Sequence, residues 1–423
     1  MGRHVALLVG GALALLAATL VGASPARAAS PNGGVTSTTI RIGIPYIDFN
    51  ALHAVGIKLT QGSYPNAYNA LIDDLNAHGG INGRHVVPYF EPVNPTGTAA
   101  TIAVCTQLTE DNQIFTAMSP YMPACYLQTH NTPTINATFQ TSTTSGAAPN
   151  FTLTPPPAAY DPLQLSVFSK MGLFKNKKVG VFAGSITDAS ELGVVQATLR
   201  RLHVNVVQSA TDSAPATDQA ASNQQVGVAA QRFQSAGVNE VVAVGTGSSV
   251  WPAGLLANQS TYNPSWIATD YTALSGSIGG SSGNNPKYLK TVVTSAPGPT
   301  SLLAWTDPMV QNCVKLIKKA YPGDTITPPS ATGNGSDHSY VAPEAACQNL
   351  AMFQKIARSA GKNLTVASFT KAGYGLRNVT FPGSGGPVSF GPGRAFAIGP
   401  VYVGKYNAAA NQLVFSTKSA TTS

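Results

Sequence analysis

The stretch Ala70–Val86, ALIDDLNAHGGINGRHV, constrains the fold of this chain more than any other. Tyr68, Leu71, Ile72 and Leu75 fall at i, i+3, i+4 and i+7, which draws one apolar stripe along a helix. Gly79 and Gly80 follow, where a helix ends in a residue free to take positive φ. Asn82-Gly83 then makes a tight turn, and Val86 and Val87 open an extended run. Upstream, Ile40, Ile42 and Ile44 alternate in RIGIPY, a strand pattern. Strand, helix and strand in that order make a βαβ unit, which belongs in a parallel sheet with a right-handed crossover.

The same alternation continues downstream. Ile102, Cys105 and Leu108 mark a helix, and IFTAMS (114–119) and PTINA (133–137) read as short strands. TPPPAAYDP (154–162) reads as a linker, because consecutive prolines continue neither a helix nor a central strand. A second unit follows. Leu165, Phe168 and Met171 suggest a helix, and KKVGVFAG (177–184) is a buried-strand pattern. Leu192, Val195, Leu199 and Leu202 form a helical stripe, as do Val226, Ala229, Ala230 and Phe233. VNVVQ (204–208), EVVAVGTG (240–247) and WIATDY (266–271) are strands. Met309, Cys313, Leu316, Ile317 and Ala320 mark another helix, and a long one runs through Ala346, Leu350, Phe353, Ala357 and Ala360 to Gly361. IGPVYVGKY and QLVFS close the chain as a hairpin. The rhythm is α/β, with doubly wound, Rossmann-like sheets.

Residues 1–28 read as a cleavable secretory signal. Arg3 and His4 precede an apolar run, and Ala26-Arg27-Ala28 offers a small-x-small cleavage site. No cysteine lies near that cut, so no lipid anchor is encoded there, and no later segment approaches the roughly 20 apolar residues of a membrane span. The expectation is a secreted, extracytoplasmic protein. Losing Arg3 and Arg27 lowers the net charge from +8 to +6. Only 10% of residues are charged, and no basic stripe appears, which argues against a nucleic-acid partner. The four cysteines suit an oxidising compartment. Three pairings are possible; Cys105 with Cys125 and Cys313 with Cys347 is the expected one, each bond stapling a helix to the next element and adding about 3 kcal/mol. The seven histidines are scattered and no CxxC occurs, so neither a metal nor a cofactor is expected.

IRIG (40–43) and, more specifically, LNAHGGINGR (75–84) resemble the opening of the type I periplasmic solute-binding proteins, the branched-chain amino-acid-binding group of ABC transport receptors. CTQLTEDNQIFTA (105–117), TVVTSAPGP (291–299) and FPGSGGPVSF (381–390) resemble later family phrases, so the likeness spans roughly residues 38–417. It implies two Rossmann-like lobes joined by three crossings. The first lobe would hold 29–157 with 297–382, and the second 158–296 with 383–423. It also implies a monomer that closes on a small-molecule ligand and is then recognised by an ABC transporter permease or a sensor.

In open parallel sheets, ligands bind beyond the C-terminal strand ends. The candidate ligand-binding residues are therefore Tyr46, Asp48, Ser119, Tyr121, Thr134 and Asn136 from the first lobe. From the second they are Thr187, Asp188, Ser248, Asp270 and Tyr271. By the resemblance, Ser119 and Thr134 lie near segments that hold a ligand carboxylate, and Asp270 falls where an acid holds an ammonium group. The aromatic residue that often sits in a YG phrase of the second lobe is absent; ITDASELG (186–193) stands there. The expected ligand is small and polar, such as an amino acid, amide or small carboxylate. Two other readings stand beside it: a secreted hydrolase using Ser281 of GGSSG (279–283) with a histidine, and a secreted interaction protein that keeps the fold without a small ligand. GGSSG lacks the preceding apolar strand of a nucleophile turn, and a non-enzyme is expected.

Overall fold

The computed structural model describes residues 33–54, 56–94, 97–119, 124–136, 148–279, 286–329 and 338–420. The expected signal segment, Tyr121 and Ser281 lie outside the described residues.

The βαβ unit forms where the spacing places it. Strands β1 (Thr39–Ile47) and β2 (His85–Val93) run parallel, in register from Thr39↔His85 to Ile47↔Val93. A short helix α1 (Phe49–Ala54) and the amphipathic α2 (Tyr64–Ala77) connect them. Ser63 starts α2 by accepting the Asn66 N–H, with Pro65 in the first turn, where a missing N–H costs nothing. Tyr68, Leu71, Ile72 and Leu75 are all buried. Gly80 follows the helix at φ +66, and a side chain there would collide with the Arg84 carbonyl, so glycine is required.

Helix α3 (Thr98–Thr106) runs on into a π-helical turn, Gln107–Asp111, before β3 (Thr116–Met118). A second π turn, Cys125–Thr129, precedes β4 (Thr134–Ile135) and β5 (Asn150–Phe151). The first sheet is parallel throughout, in the order β2-β1-β3-β4-β5. Cys105 bonds Cys125, tying α3 to the second π turn.

The second sheet begins with a departure from the sequence reading. Helix α4 (Pro157–Lys170) starts inside the stretch read as a linker. Pro157 occupies the first helical position, where proline is favoured, and Pro162 is carried inside the helix. The lost backbone bond is offset by burial of Leu165, Val167 and Phe168. Then follow β6 (Val179–Ala183), α5 (Ala189–Arg201), β7 (Val206–Thr211), α6 (Gln219–Ser235) and β8 (Glu240–Val244). Next come α7 (Gly247–Ala257), β9 (Ser265–Ala268), α8 (Tyr271–Gly279), α9 (Pro286–Leu289) and β10 (Val292–Ala296). Strands β6 to β10 are fully parallel, and β6, β8 and β9 are almost entirely buried, as sheets covered on both faces require.

The chain then returns to the first sheet. Helices α10 (Ser301–Trp305), α11 (Pro308–Ala320), α12 (Val341–Ala360) and α13 (Val366–Tyr374) follow, and α11, α12 and α13 share one core with α2 and β1. Cys313 bonds Cys347 between α11 and α12, so both disulfides join nearest neighbours. A hairpin, β11 (Ser389–Gly391) and β12 (Arg394–Ile398), also belongs here: Val388, Phe390 and Ala397 lie in the first core, and Phe396 bridges to Thr152. The expected division groups 383–423 with the second lobe; the apolar residues of 388–397 pack on Phe151 and its neighbours instead. Only the last hairpin, β13 (Tyr402–Asn407) and β14 (Gln412–Phe415), joins the second sheet, where β13 adds antiparallel to β10. Its order is β14-β13-β10-β9-β8-β6-β7. Among the described residues no helix is long and apolar enough to cross a membrane.

Candidate functional site

Parallel strands bring their C-terminal ends to one edge, so each sheet has an edge where loops and helix starts gather. At the edge of the first sheet, Tyr46 stacks on Tyr64 with ring centroids 6.3 Å apart. Its hydroxyl pKa is raised, by burial first and then by the charges of Asp48 and Glu91. Asp48 caps α1, accepting the N–H groups of Asn50 and Ala51 at 3.0 and 3.3 Å. Ser119 ends β3 at φ +49, a conformation that a non-glycine residue holds only when its surroundings impose it. Two bonds do so. Its N–H donates to the Ile135 carbonyl at 2.7 Å, and its hydroxyl accepts from the Asn349 amide at 2.7 Å. Asn349 is completely buried on α12 and donates to the Tyr68 hydroxyl as well, at 2.9 Å.

Two expected residues turn inward. Thr134 is fully buried and donates its hydroxyl to Asn150 Oδ1 at 2.8 Å, so it joins β4 to β5 rather than facing a ligand. Asn136 is 2% exposed, and its N–H completes the ladder at the Phe151 carbonyl.

The edge of the second sheet carries charge. Asp188 sits at the start of α5, and its Oδ2 accepts from the Thr246 N–H and hydroxyl at 3.1 and 2.7 Å. This places a carboxylate at the first turn of α7, where the helix dipole favours it. Gly245 permits the approach: it holds φ +55, and a side chain there would press on the Asp188 carboxyl. Thr187 pairs with Ser185 at the surface, away from the charged group. Ser248 is fully buried and accepts the Asp270 N–H at 3.1 Å, while Asp270 Oδ1 caps α8 through Thr272 and Ala273. Tyr271 meets Phe415 edge-to-face at 5.6 Å, which couples α8 to the final strand.

Residues absent from the sequence reading complete this edge. Asp161, on α4, is fully buried, with Oδ1 accepting from the Gln164 amide at 2.7 Å. The same amide donates to the Thr269 carbonyl at 2.9 Å, and Gln164 Oε1 accepts from Ser295, which pairs with the Tyr160 hydroxyl. Glu191, on α5, accepts from the Thr269 hydroxyl at 3.1 Å. Burial pushes the Asp161 carboxyl well above its ordinary range, and the Glu191 charge pushes it further. Burial also raises Glu191 and Asp188, against hydrogen bonds from Thr269 and Thr246 that pull the other way. Asp161, Asp188, Glu191 and Asp270 thus act on one another electrostatically, and among the described residues none is ion-paired. Glu191 falls in the phrase ITDASELG, 186–193.

No protein-family model and no curated protein matches the chain. Many solved structures do share its architecture. A fatty acid ABC transporter substrate-binding protein from Thermomonospora curvata matches with TM-score 0.56 at 14% identity, over 93% of this chain and 95% of that one. An ABC transporter substrate-binding protein from Desulfitobacterium hafniense in complex with Leu matches with TM-score 0.58 at 12% identity, over 89% and 100%. A periplasmic binding protein type 1 from Bordetella pertussis Tohama I matches with TM-score 0.54 at 15% identity, over 89% and 99%. One parallel and one mainly parallel sheet, crossed three times by the chain and matched over about nine-tenths of its length, give this protein the periplasmic-binding-protein type I fold, the architecture shared by ABC transporter substrate-binding proteins.

Proposed function

We propose that the chain is an extracytoplasmic solute-binding protein that captures a small polar ligand and presents it to an ABC transporter or a sensor. One observation carries this reading: the chain shares its whole architecture with substrate-binding proteins, and polar side chains gather at the C-terminal strand ends of both sheets. The lobes are residues 33–153 with 301–398 and residues 157–296 with 402–420, following the two cores. Their C-terminal edges face across a cleft, and contacts made only in the closed state let the ligand favour closure. Tyr46, Asp48 and Ser119 serve from the first lobe, and Asp188, Glu191 and Asp270 from the second. No catalytic step is assigned: the histidines described in contacts reach a carbonyl or a carboxylate, as His53 does to Leu59 and His78 to Asp74.

Thermal-shift screening of the purified chain against amino acids, amines, small organic acids and aromatic acids tests the reading. A ligand at one hundred times its dissociation constant adds about 2.7 kcal/mol to the free energy of unfolding. Small-angle scattering should show the same ligand making the particle more compact. No shift with any compound, or turnover of a compound by the protein, would end the proposal.

A further inference from the structure

Beside the first sheet, the Cys105–Cys125 disulfide has a third neighbour. The sulfurs of Cys105 and Cys125 and a ring nitrogen of His130 all lie within 4.8 Å of one another. Among the described residues this is the one group of three side chains with the atoms to hold a metal ion, and the Cys313–Cys347 disulfide belongs to no such group. Spacing along the chain predicts no such site, because the two cysteines stand 20 residues apart and form no paired motif. Two π-helical turns assemble it. In an α-helix, a residue five places on lies about 140° around the axis. The π turn Cys125–Thr129 closes instead with the His130 N–H on the Cys125 carbonyl at 3.2 Å, which sets residue 130 above residue 125. The other π turn, Gln107–Asp111, follows directly on the helix that ends beside Cys105 and carries Glu110, whose Oε1 lies 3.9 Å from His130 Nδ1. Such turns are rare and concentrate at functional sites. Leu108, Ile114 and Tyr126 cluster with Cys105, which is fully buried, while Cys125 and His130 are half-buried. The two π turns lead into the starts of β3 and β4, at the opposite edge of the first sheet from its strand-end residues.

We propose that this disulfide, once reduced, becomes a zinc site held by Cys105, Cys125 and His130. The exchange balances. A dithiol reductant passes two electrons and two protons to the disulfide, which becomes two cysteine thiols, while the reductant closes into its own disulfide. Zn²⁺ then takes both sulfurs as thiolates, two protons leave to solvent, and the neutral imidazole gives the third ligand. Water fills the fourth position of the tetrahedron. Donors on one tetrahedral zinc stand about 3.5–4 Å apart, so the sulfurs need only part to that distance and the imidazole is already within reach. Two thiolates and an imidazole suit zinc; calcium and magnesium take oxygen ligands. Glu110 puts a negative charge beside the imidazole, and so beside the ion it would hold, as carboxylates do around ligating histidines. The site uses none of the residues assigned to the solute, and it stands or falls apart from the solute-binding reading.

The full chain, either oxidised or reduced with dithiothreitol and desalted without oxygen, is titrated with Zn²⁺ and, as a spectroscopic probe, with Co²⁺. The reduced chain, its fold checked by circular dichroism, should bind one equivalent of zinc at least a hundredfold more tightly than the oxidised chain. Its cobalt complex should show thiolate-to-metal charge transfer and the visible bands of a tetrahedral site. Zinc affinity should rise from pH 6 to pH 8, because binding releases protons. His130→Ala keeps both cysteines and should weaken zinc binding tenfold or more, and Glu110→Gln should weaken it severalfold. Bound zinc should also slow re-formation of the Cys105–Cys125 bond, read by mass spectrometry of trapped thiols. Absence of zinc uptake by the folded, reduced chain would overturn the proposal. So would equal affinity in His130→Ala, cobalt binding without a thiolate band, uptake that survives Cys105→Ser combined with Cys125→Ser, or a reduced chain that loses its fold even with zinc present.

Discussion

The two sheet edges are built from the same topology and do opposite things with their polar groups. At the first, Ser119, Asn349 and Tyr68 form a closed hydrogen-bond chain between β3, α12 and α2. Each buried polar atom there has a partner, and the arrangement fixes the strained backbone of Ser119. At the second, neutral donors hold four acids, Thr246 on Asp188, Thr269 on Glu191, Gln164 on Asp161 and Thr272 on Asp270, with no ion pair to any of them among the described residues. A satisfied polar network rigidifies a lobe; an unsatisfied one stores a preference for whatever neutralises it. The first edge is a platform and the second is a trap.

Substitutions should separate these roles. The largest effect belongs to Phe151→Ala, beneath the first edge. Phe151 is fully buried, touches Phe369, Tyr374 and Phe390, and carries the carbonyl that receives Asn136. Its truncation should cost about 3–5 kcal/mol by chemical denaturation. An effect under 1 kcal/mol would mean that the hairpin at 389–398 is not integral to the first core.

Acidity gives the next test. Glu344, on α12 beside Gln348, is a buried acid, and burial pushes its carboxyl up to about 7. A raised carboxyl binds its proton more tightly in the folded chain. Its contribution is therefore complete below the unfolded value of 4.5 and is lost as pH rises through about 7. The loss should approach roughly 3 kcal/mol, and Glu344→Gln should flatten that part of the stability profile. A profile of the same slope in the variant would contradict the assignment. Glu240 in β8 behaves in the same direction, also up to about 7, even with Lys177 at 3.4 Å, because burial outweighs the ion pair.

Asn349→Leu comes third. It removes the bonds from Asn349 to the Tyr68 hydroxyl and to Ser119, which should cost about 2 kcal/mol of stability. The smallest stability change should have the opposite sign. Asp161→Asn keeps an oxygen for Gln164 and adds an amide that can donate to Glu191. It should raise the stability of the protein by about 1 kcal/mol in chemical denaturation. If instead Asp161→Asn destabilises the free protein, the contrast between platform and trap is lost.

Much of this was legible in the residue order. The stripe of α2, the alternation of β1 and the turn at Gly80 are local signals, each set by side-chain period or backbone freedom. The rule that polar groups collect at strand ends names Asp188, Ser248 and Asp270, and the structure brings all three to one edge. It also names Thr134, whose hydroxyl bonds the Asn150 side chain paired opposite it on the neighbouring strand. Asp161 stayed hidden because a run of prolines reads as a break, while Pro157 in fact opens a helix. Glu191 looked like the polar face of α5, and Asn349 was lost within the apolar repeat of α12. Glu191 and Asn349 bond partners more than 70 residues away in the chain, and Asp161 is tied to Thr269 only through Gln164; no local pattern encodes that.

The last hairpin has a further meaning for how the molecule is made. Strands β13 and β14 complete the second sheet, yet they are synthesised after every element of the first half. A chain emerging in order from a ribosome or a translocation channel therefore holds an open flank on β10 while more than a hundred residues go by. That flank is a waiting strand, open to non-native pairing until Tyr402–Asn407 arrives to cover it. Assembly of the second half is thus timed by the end of the chain rather than by its own helices.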